Sequence, residues 1–479
     1  MSALKKLASQ TAVYGLSSML GRFINFLLVI PHTKLFNSVD TYGNMSTIFA
    51  TLAYMNILLT YGMETTYFNF MRQDKPKSLV YAIAQKSIFF TTLIFTVLIF
   101  LMAPQAASLI GFEGHSDYIY IILIFLLFDT LSALPFARLR QEEKPFYFAG
   151  VKLANILVNV SLNIYLLAYT PDFLSGFDQV SLVLMANAAA STVSFLLLLP
   201  IALPGKGGFD PALYKKMLEY AWPLIFVGFA GIINETLDRI MLNRYGEQGA
   251  YQTGIYSAYY RLSMVMTMFV QAYKFAAEPF FFKQTGDGDK RDVYATTMYW
   301  FCGVCSMIFL ACMLFDSTLA HLFIRNKAYF TDGKGLAIVP ILLMANMFLG
   351  IYYNLSIWYK LSNNTKAGAL IAAGGAIITI VANYLLIPAY GFTACAWITL
   401  GVYLAMCIAS YLLGNRFFKV PYSVGKITVM VLVSIVLWML CKNILTTDSN
   451  ILIQGGVKIL ALTLMVLIIW LLQPKVKKA

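Results

Sequence analysis

Polar side chains recur on one face of an otherwise apolar stretch near the middle of the chain. At helical spacing this face carries Tyr256, Tyr260, Ser263, Thr267, Gln271, Lys274 and Glu278. The intervening positions are mainly leucine, methionine, valine and phenylalanine. A polar stripe of this length is costly in hydrocarbon, so it must face protein or a water-filled space. We expect it to form one wall of a cavity through a membrane.

A second group of polar residues consists of cations inside apolar segments. A charge at a helix centre costs about 2.5–3.5 kcal/mol on insertion, so each needs a reason. Arg22 and Asn25 share a face of the first apolar segment, and Arg261 lies on the striped stretch. Guanidinium offers a flat fork of donors that suits phosphate. We expect these residues, with Lys274, to hold an anionic group; the alternative for Arg22 is a structural hydrogen bond.

Three carboxylates in apolar segments, Asp129, Glu235 and Asp238, are candidates for binding a coupling cation. The alternatives are a protonated Asp129 and simple i,i+4 ion pairs, Glu235 with Arg239 and Lys274 with Glu278. No nucleophile–base pair is evident, and the three histidines and six cysteines are too scattered for a metal site. The sequence therefore predicts no catalytic residue, metal or cofactor, and leaves coupling to Na⁺, H⁺ or the membrane potential open.

The composition indicates an integral membrane protein. The chain is 59% hydrophobic and only 12% charged, whereas soluble domains are about 25% charged. Its net charge of +13 would suit nucleic acid, but the cations lie in short loops between apolar segments, a pattern typical of membrane topology. We expect an all-α protein without a nucleic-acid partner. Fourteen segments approach the length of roughly 20 residues that a spanning helix needs: about 11–33, 42–66, 83–103, 117–137, 146–169, 178–203, 217–243, 252–282, 294–315, 335–359, 367–388, 391–415, 422–442 and 450–473.

The loop charges predict the orientation. One alternate set of loops contains twenty-one lysines and arginines, and the other set contains six. The positively charged loops of membrane proteins lie in the cytoplasm. Both termini are therefore expected to be cytoplasmic, in agreement with an even number of spans.

An internal repeat is detectable at an offset of 214 to 222 residues. The sequence from Glu64, Glu-Thr-Thr-Tyr-Phe, returns from Glu278 as Glu-Pro-Phe-Phe-Phe, and Asn163-Ile-Tyr-Leu-Leu returns as Asn383-Tyr-Leu-Leu-Ile. An even number of spans per repeat gives both halves the same orientation. We expect two six-helix bundles related by a pseudo-two-fold axis along the membrane normal, plus two C-terminal helices.

The predicted organisation has four parts. They are a first six-helix lobe at 1–203, a cytoplasmic linker at 204–216, a second six-helix lobe at 217–417, and helices 13 and 14 at 418–479. The linker is rich in glycine and proline, which break helices. We expect a V-shaped cavity between the lobes, walled by the first, second, seventh and eighth spans.

Several motifs resemble those of a known family. The stretch Asn383-Tyr-Leu-Leu-Ile-Pro-Ala-Tyr-Gly-Phe-Thr-Ala-Cys-Ala396 is similar to the "N-x-x-L-I-P-x-x-G-x-x-G-A-A" signature of polysaccharide flippases. Gly254-Ile-Tyr-Ser-Ala258 and the opening from Gly15 to Tyr61 also resemble theirs. The chain departs at Ala394-Cys395-Ala396, where the family has Gly-Ala-Ala, a small-for-small change that should preserve close helix packing. The resemblance is to the O-antigen type of flippase in the multidrug/oligosaccharidyl-lipid/polysaccharide (MOP) exporter superfamily.

The resemblance implies a function. Such a flippase translocates an undecaprenyl-diphosphate-linked oligosaccharide across the bacterial cytoplasmic (inner) membrane by alternating access, for O-antigen, lipopolysaccharide or other cell-surface polysaccharide synthesis. Lipid II flippases, which look similar, carry important arginines on the first and eighth helices, where Arg22 and Arg261 lie. Tyr256 and Tyr260 would stack on sugars. The implied partners of the monomer are the lipid-linked glycan, membrane lipids and other polysaccharide-assembly proteins.

Two other functions compete. A MATE-like exporter of small cationic molecules, from the same superfamily, would have twelve spans and an acidic cavity. An integral-membrane polysaccharide polymerase or acyltransferase would show a large outer loop or a nucleophile with its base. Fourteen spans and inward-facing cations favour an anionic substrate. The glycan, the lipid carrier and the coupling ion stay open.

Overall fold

The computed structural model describes most of the chain. The residues it describes are 15, 17, 19–73, 76–203, 208–283, 291–331, 333–362, 364–444 and 451–473, without the side chains of 275, 276, 278–283 and 451. In this part of the chain the regular structure is helical throughout, which confirms the all-α prediction.

The helices follow one another with short connections. They are α1 (19–27), and then α2 (Val29–Leu35), α3 (Val39–Thr60), α4 (Met63–Phe70), α5 (Lys77–Leu101), α6 (Ala103–Leu109), α7 (Ser116–Gln141), α8 (Pro145–Tyr169), α9 (Gln179–Ala202), α10 (Pro211–Tyr245), α11 (Gly249–Lys283), α12 (Arg291–Leu314), α13 (Asp316–Phe323), α14 (Val339–Leu355), α15 (Ile357–Leu361), α16 (Thr365–Phe417), α17 (Val424–Ile444) and α18 (Ile451–Leu471).

The helices account for the predicted spans. Within the described residues, ten helices are long and apolar enough to cross a membrane. The first, second and eighth predicted spans correspond to α1 with α2, to α3 and to α11, which contain more polar residues. The chain is thus a multi-pass membrane protein.

The longest helix, α16, consists of two spans joined at a glycine. Gly391 has φ 55° and ψ −139°, a backbone conformation almost restricted to glycine. Residues on both sides of it, such as Leu370 and Leu413, line one common cavity, so the two arms lie side by side as a hairpin. Separate spans at 367–388 and 391–415 are therefore confirmed, and the glycine of the motif is explained by the turn.

Contacts group the chain into two compact units, Met1–Ser257 and Ala258–Ala479. The division falls inside α11 rather than at the 204–216 linker. One reason is that α10 packs on α3 and α4: Gly228 lies against Ile57, and Gly62 lies against Leu224. The predicted lobes, 1–203 and 217–417, stay a prediction.

Within the first unit, α7 packs on α5 and α9, and α9 packs on α8. A buried apolar cluster joins α4, α5, α7 and α10 through side chains such as Met63, Ile83, Leu134 and Met217. The Tyr81 hydroxyl donates to the carbonyl of Ile201 at 2.8 Å, tying α5 to the end of α9. This core fixes the helices that carry Asp129 and its neighbours.

Within the second unit, α14 packs against α16, and α12 packs against α17 and α18. The Tyr299 hydroxyl donates to the carbonyl of Ile469, joining α12 to α18. All six cysteines belong to this unit and are buried free thiols. They are small packing residues, as their positions in apolar segments predict.

Candidate functional site

Arg22 and Asn25 both lie on the exposed side of α1. The opposite side packs inward, because Phe26 is buried and Gly21 lies close to Ile156 of α8. Among the described residues, none forms a hydrogen bond or ion pair with the Arg22 guanidinium. A guanidinium has five N–H donors, and no described residue accepts a hydrogen bond from those of Arg22.

A ladder of amides runs from the exposed Asn25 of α1 to the buried Asn159 and Asn163 of α8. The Asn159 amide donates to the Asn25 side-chain carbonyl at 3.4 Å, and the Asn163 amide donates to the Asn159 side-chain carbonyl at 2.7 Å. The Asn163 side-chain oxygen then lies 3.1 Å from His32 Nε2. A ladder of this kind satisfies its own polar groups and fixes the Asn25 side chain one turn from Arg22.

Asp129 is held by polar neighbours from two other helices. Its carboxylate accepts a 2.7 Å hydrogen bond from the Asn56 amide of α3, and it interacts electrostatically with Lys152 of α8. The Lys152 ammonium also lies over the Phe136 ring, 4.1 Å from the centroid. Asp129 therefore has partners that the sequence did not reveal, and its role in ion coupling stays a prediction.

Further ion pairs lie at the ends of α4 and α7. Arg140 pairs with Glu64, and Arg138 pairs with Glu142 at 2.6 Å. Desolvation works against ionisation of Glu142, but hydrogen bonds from Lys144 and Arg138, together with their charges, outweigh it. The pKa of Glu142 is therefore below its ordinary value. The Arg140–Glu64 pair ties α7 to α4, and the contacts of Glu142 with Arg138 and Lys144 lie at the turn between α7 and α8.

Asp238 joins α10 to the start of α11. The hydroxyl of the fully buried Tyr256 donates to one carboxylate oxygen at 2.5 Å. The other oxygen accepts the backbone N–H of Arg239 at 2.8 Å, and the Arg239 guanidinium is 3.6 Å away. Because both carboxylate oxygens have partners, Asp238 stabilises the contact between α10 and α11. An ion-coupling role for Asp238 stays a prediction.

Glu235 does not form the ion pair that its spacing predicts. The Arg239 guanidinium donates to the backbone carbonyl of Glu235 at 3.0 Å and turns towards Asp238, while the Glu235 side chain is exposed. The i,i+4 prediction was wrong here because Asp238 is the nearer carboxylate. The proposed partner of Lys274, the Glu278 side chain, lies outside the described residues.

The polar stripe of α11 is largely a helix contact within the second unit. Ser263 is buried and accepts a hydrogen bond from the Asn346 amide of α14 at 3.3 Å. Further along α11 towards its C-terminal end, the Lys274 ammonium lies over the Tyr353 ring of α14, 4.4 Å from the ring centroid. Tyr260 is buried as well, at 8% exposure. Packing against α14 thus accounts for much of the stripe.

Two polar side chains of α11, those of Arg261 and Gln271, are more exposed than the buried residues of the polar stripe. Arg261 is partly exposed, and its guanidinium approaches only the Met264 sulfur, at 3.7 Å, among the described residues. Gln271 is partly exposed too. Arg22, Asn25, Arg261 and Gln271 are thus at least partly exposed, whereas Tyr256 is fully buried; substrate binding by these residues stays a prediction.

The ends of α3 and α11 meet at two glycines. A Cβ atom on Gly43 would lie 1.9 Å from the carbonyl oxygen of Ala250, and one on Gly254 would lie 2.2 Å from the carbonyl oxygen of Val39. Only glycine permits backbones to approach this closely. Beside the crossing, the Asn243 amide donates to the Asn44 side-chain carbonyl at 3.3 Å.

The sequence analysis missed several polar residues around these positions, including Asn56, Asn159, Asn163, His32 and Asn346. Asn159 and Asn163 carry a usable signal, since two amides four residues apart inside an apolar segment share one helix face. The partners of Asn56 and Asn346 lie far along the chain, so only the fold reveals them. No group of three or more potential metal ligands occurs within the described ranges.

The comparisons with known proteins agree with this architecture. The "Polysaccharide biosynthesis protein" family model matches residues 7–285, and the "MatE" family model matches residues 223–385. A search of curated protein sequences gave no significant match.

Solved structures are similar in fold. One is a lipid II flippase, MurJ, in an inward closed conformation, with a TM-score of 0.71 and 14% identity over 95% of this chain and 98% of that one. Another is an inward-facing multidrug resistance MATE family transporter of the MOP superfamily, with a TM-score of 0.59 and 14% identity over 82% and 97%. A MATE transporter in the straight conformation gives a TM-score of 0.58 and 14% identity over 86% and 95%. The polysaccharide model spans more than half of the chain, and on that ground the chain belongs to the polysaccharide biosynthesis protein family.

Proposed function

We propose that the protein is a flippase that moves an undecaprenyl-diphosphate-linked oligosaccharide from the inner to the outer leaflet of a bacterial cytoplasmic membrane. Both termini would be cytoplasmic, and transport would proceed by alternating access. The glycan would serve cell-surface polysaccharide synthesis, of which O-antigen is one case. Family membership supports a transporter connected with polysaccharide synthesis, and the diphosphate substrate is our own inference.

The observation that carries the proposal is the state of Arg22. An arginine inside a membrane-spanning segment is expensive unless it is paired or functional. Arg22 has no partner among the described residues, and the neighbouring Asn25 is fixed by Asn159. A planar fork of donors beside a fixed amide suits a diphosphate, which presents several acceptor oxygens.

The carboxylates favour an anionic over a cationic substrate. A cation exporter needs acidic groups that are free to meet its cargo, and of the three candidate carboxylates only Glu235 is exposed. Asp129 is hydrogen-bonded to Asn56, and Asp238 is hydrogen-bonded to Tyr256. The matches to MATE transporters keep a small-molecule exporter as the second candidate.

The three acidic residues differ in how readily they could bind a coupling cation. Of the three candidates only Glu235 has an exposed side chain, so it can exchange a cation with water without breaking an existing contact. Asp129 would first have to break its hydrogen bond with Asn56, and Asp238 its hydrogen bond with Tyr256. We therefore rank Glu235 first among the three.

Depletion in the native cell tests the function. Loss of the protein should remove the surface polysaccharide, and the corresponding lipid-linked sugar should accumulate in a form protected from reagents added outside the cell. Expression of the chain from a plasmid should reverse both effects. Unchanged surface polysaccharide together with loss of cationic dye efflux would favour the drug exporter instead.

A further inference from the structure

A polar cavity lies in the second unit where α12, α17 and α18 meet. Its volume is about 370 Å³, and its lining includes Asp316, Trp438, Lys442, Gln454 and Lys458. By the predicted topology this is the outer side of the membrane, because it is the end opposite the positively charged C-terminal segment. The cavity is separate from the residues used in the proposed transport function.

Two lysines converge on this cavity, whose lining also includes the carboxylate of Asp316. Neither Lys442 nor Lys458 forms an ion pair in the part of the chain that the structure describes. Each ammonium instead lies near an aromatic face: Lys458 is 4.5 Å from the Phe315 centroid, and Lys442 is 5.7 Å from the Trp438 centroid. Cation–π contacts orient an ammonium but leave its N–H donors available.

The depth of Lys458 argues that the site has a ligand. The residue lies seven positions after the start of α18, which is about 10 Å along a helix axis. A lysine at that depth normally extends its head to the membrane surface or finds an anion. Within the described part of the protein no carboxylate pairs with Lys458, and its head lies over Phe315 in the cavity wall, so the cavity is where it would meet an anion.

We propose that the cavity binds the head group of a membrane lipid that carries a phosphodiester beside a primary amine. The two ammonium groups would bind the phosphate oxygens by charge-assisted hydrogen bonds. Asp316, whose Oδ1 accepts the backbone N–H of Ser317 at 2.6 Å, keeps its other oxygen for the lipid amine. By the predicted topology Trp438 lies near the outer end of α17, and tryptophan side chains are enriched at the interface between membrane and water.

Native mass spectrometry of the full chain tests the proposal, with phosphatidylethanolamine as the lipid and diacylglycerol as its neutral counterpart. The wild type should retain phosphatidylethanolamine but not diacylglycerol. The double variant Lys442→Gln/Lys458→Gln should bind it at least about tenfold more weakly, because charge-assisted hydrogen bonds are lost. Lys442→Arg/Lys458→Arg should retain it.

The matched control is Lys327→Gln/Lys334→Gln, which removes two exposed lysines of the same unit that do not line the cavity. It should bind lipid like the wild type. If the first double variant does not fold, each single variant should show a partial loss. Unchanged lipid retention in the lysine variants would overturn the site. Equal displacement of the lipid by inorganic phosphate and by glycerophosphoethanolamine, at equal concentrations, would overturn the lipid assignment in favour of a soluble phosphate.

Discussion

The glycine crossing of α3 and α11 gives the sharpest prediction about the transport cycle. Because Gly43 and Gly254 let the two backbones touch, an added methyl group at either position has nowhere to go. A Cβ on Gly43 would meet the Ala250 carbonyl oxygen at 1.9 Å, and contacts under 3.0 Å essentially do not occur. The helices would have to separate locally by at least about 1.1 Å, the difference between those two distances.

The size of the effect follows from the cost of overpacking. Forcing extra carbon into a packed contact costs about 1–3 kcal/mol, which corresponds to a roughly 5- to 150-fold shift between two states. By the predicted topology the crossing lies on the outer side of the membrane. Gly43→Ala should therefore disfavour the state in which this end is closed. If transport alternates between inward and outward access, its rate should fall.

The yield of cysteine cross-linking across the glycine crossing measures this shift between the two states. Asn44 and Asn243 are in contact beside the crossing, so a variant with cysteines at both positions should react with a short bifunctional thiol reagent. Gly43→Ala in that background should reduce the cross-linking yield at least about fivefold, the lower end of the estimated range. The control is Gly231→Ala, whose Cβ would meet no atom within 4 Å. If the Gly43→Ala variant cross-links and transports as efficiently as the protein with Gly43, the reasoning is refuted.

Three further substitutions test single contacts by the apparent melting temperature of the purified protein. Tyr256→Phe removes the donor to buried Asp238 and should cost about 1–3 kcal/mol; a result within error of wild type would show that the hydroxyl contributes nothing. Lys152→Met leaves Asp129 without its neighbouring cation and should destabilise the protein by roughly 1 kcal/mol or more, and adding Asp129→Asn should restore much of the loss. Gly391→Ala should cost about 1–3 kcal/mol because its φ is 55°, and an equal loss in Gly374→Ala, where a Cβ has open space, would contradict that explanation.

Most of the fold follows from the sequence because long apolar segments have few alternatives in a membrane. Backbone polar groups must be satisfied internally, so each segment becomes a helix. The position of the turn at Gly391 was predictable from the sequence, since Pro388 and Gly391 interrupt an apolar stretch. The compact units were not predictable from the linker, because α10 packs on helices that precede it by well over a hundred residues.

The candidate site was predictable only in part. Hydrophobic context identifies Arg22 and Asp129 as residues that need an explanation, but it does not show which partner each one has. Asp129 is bonded to Asn56, 73 residues away, while Arg22 has no described partner. The polar stripe of α11 was ambiguous for the same reason, since a face that packs on Asn346 and Tyr353 of α14 has the same periodicity as one that faces water.

The central claim is that the protein carries a lipid-diphosphate-linked glycan across a bilayer, with Arg22 binding the diphosphate. Leaflet-resolved translocation in proteoliposomes tests it most directly. A membrane-impermeant glycosidase added outside should cleave labelled lipid-linked oligosaccharide faster with the wild type than in empty vesicles. Arg22→Ala should fall to the empty-vesicle rate at equal protein content, and Arg22→Lys should be intermediate because it keeps the charge but loses the fork.

Arg72→Ala, at an exposed position outside the predicted spans, should translocate like the wild type. Wild-type rates in Arg22→Ala, or no translocation by the wild type itself, would contradict the account.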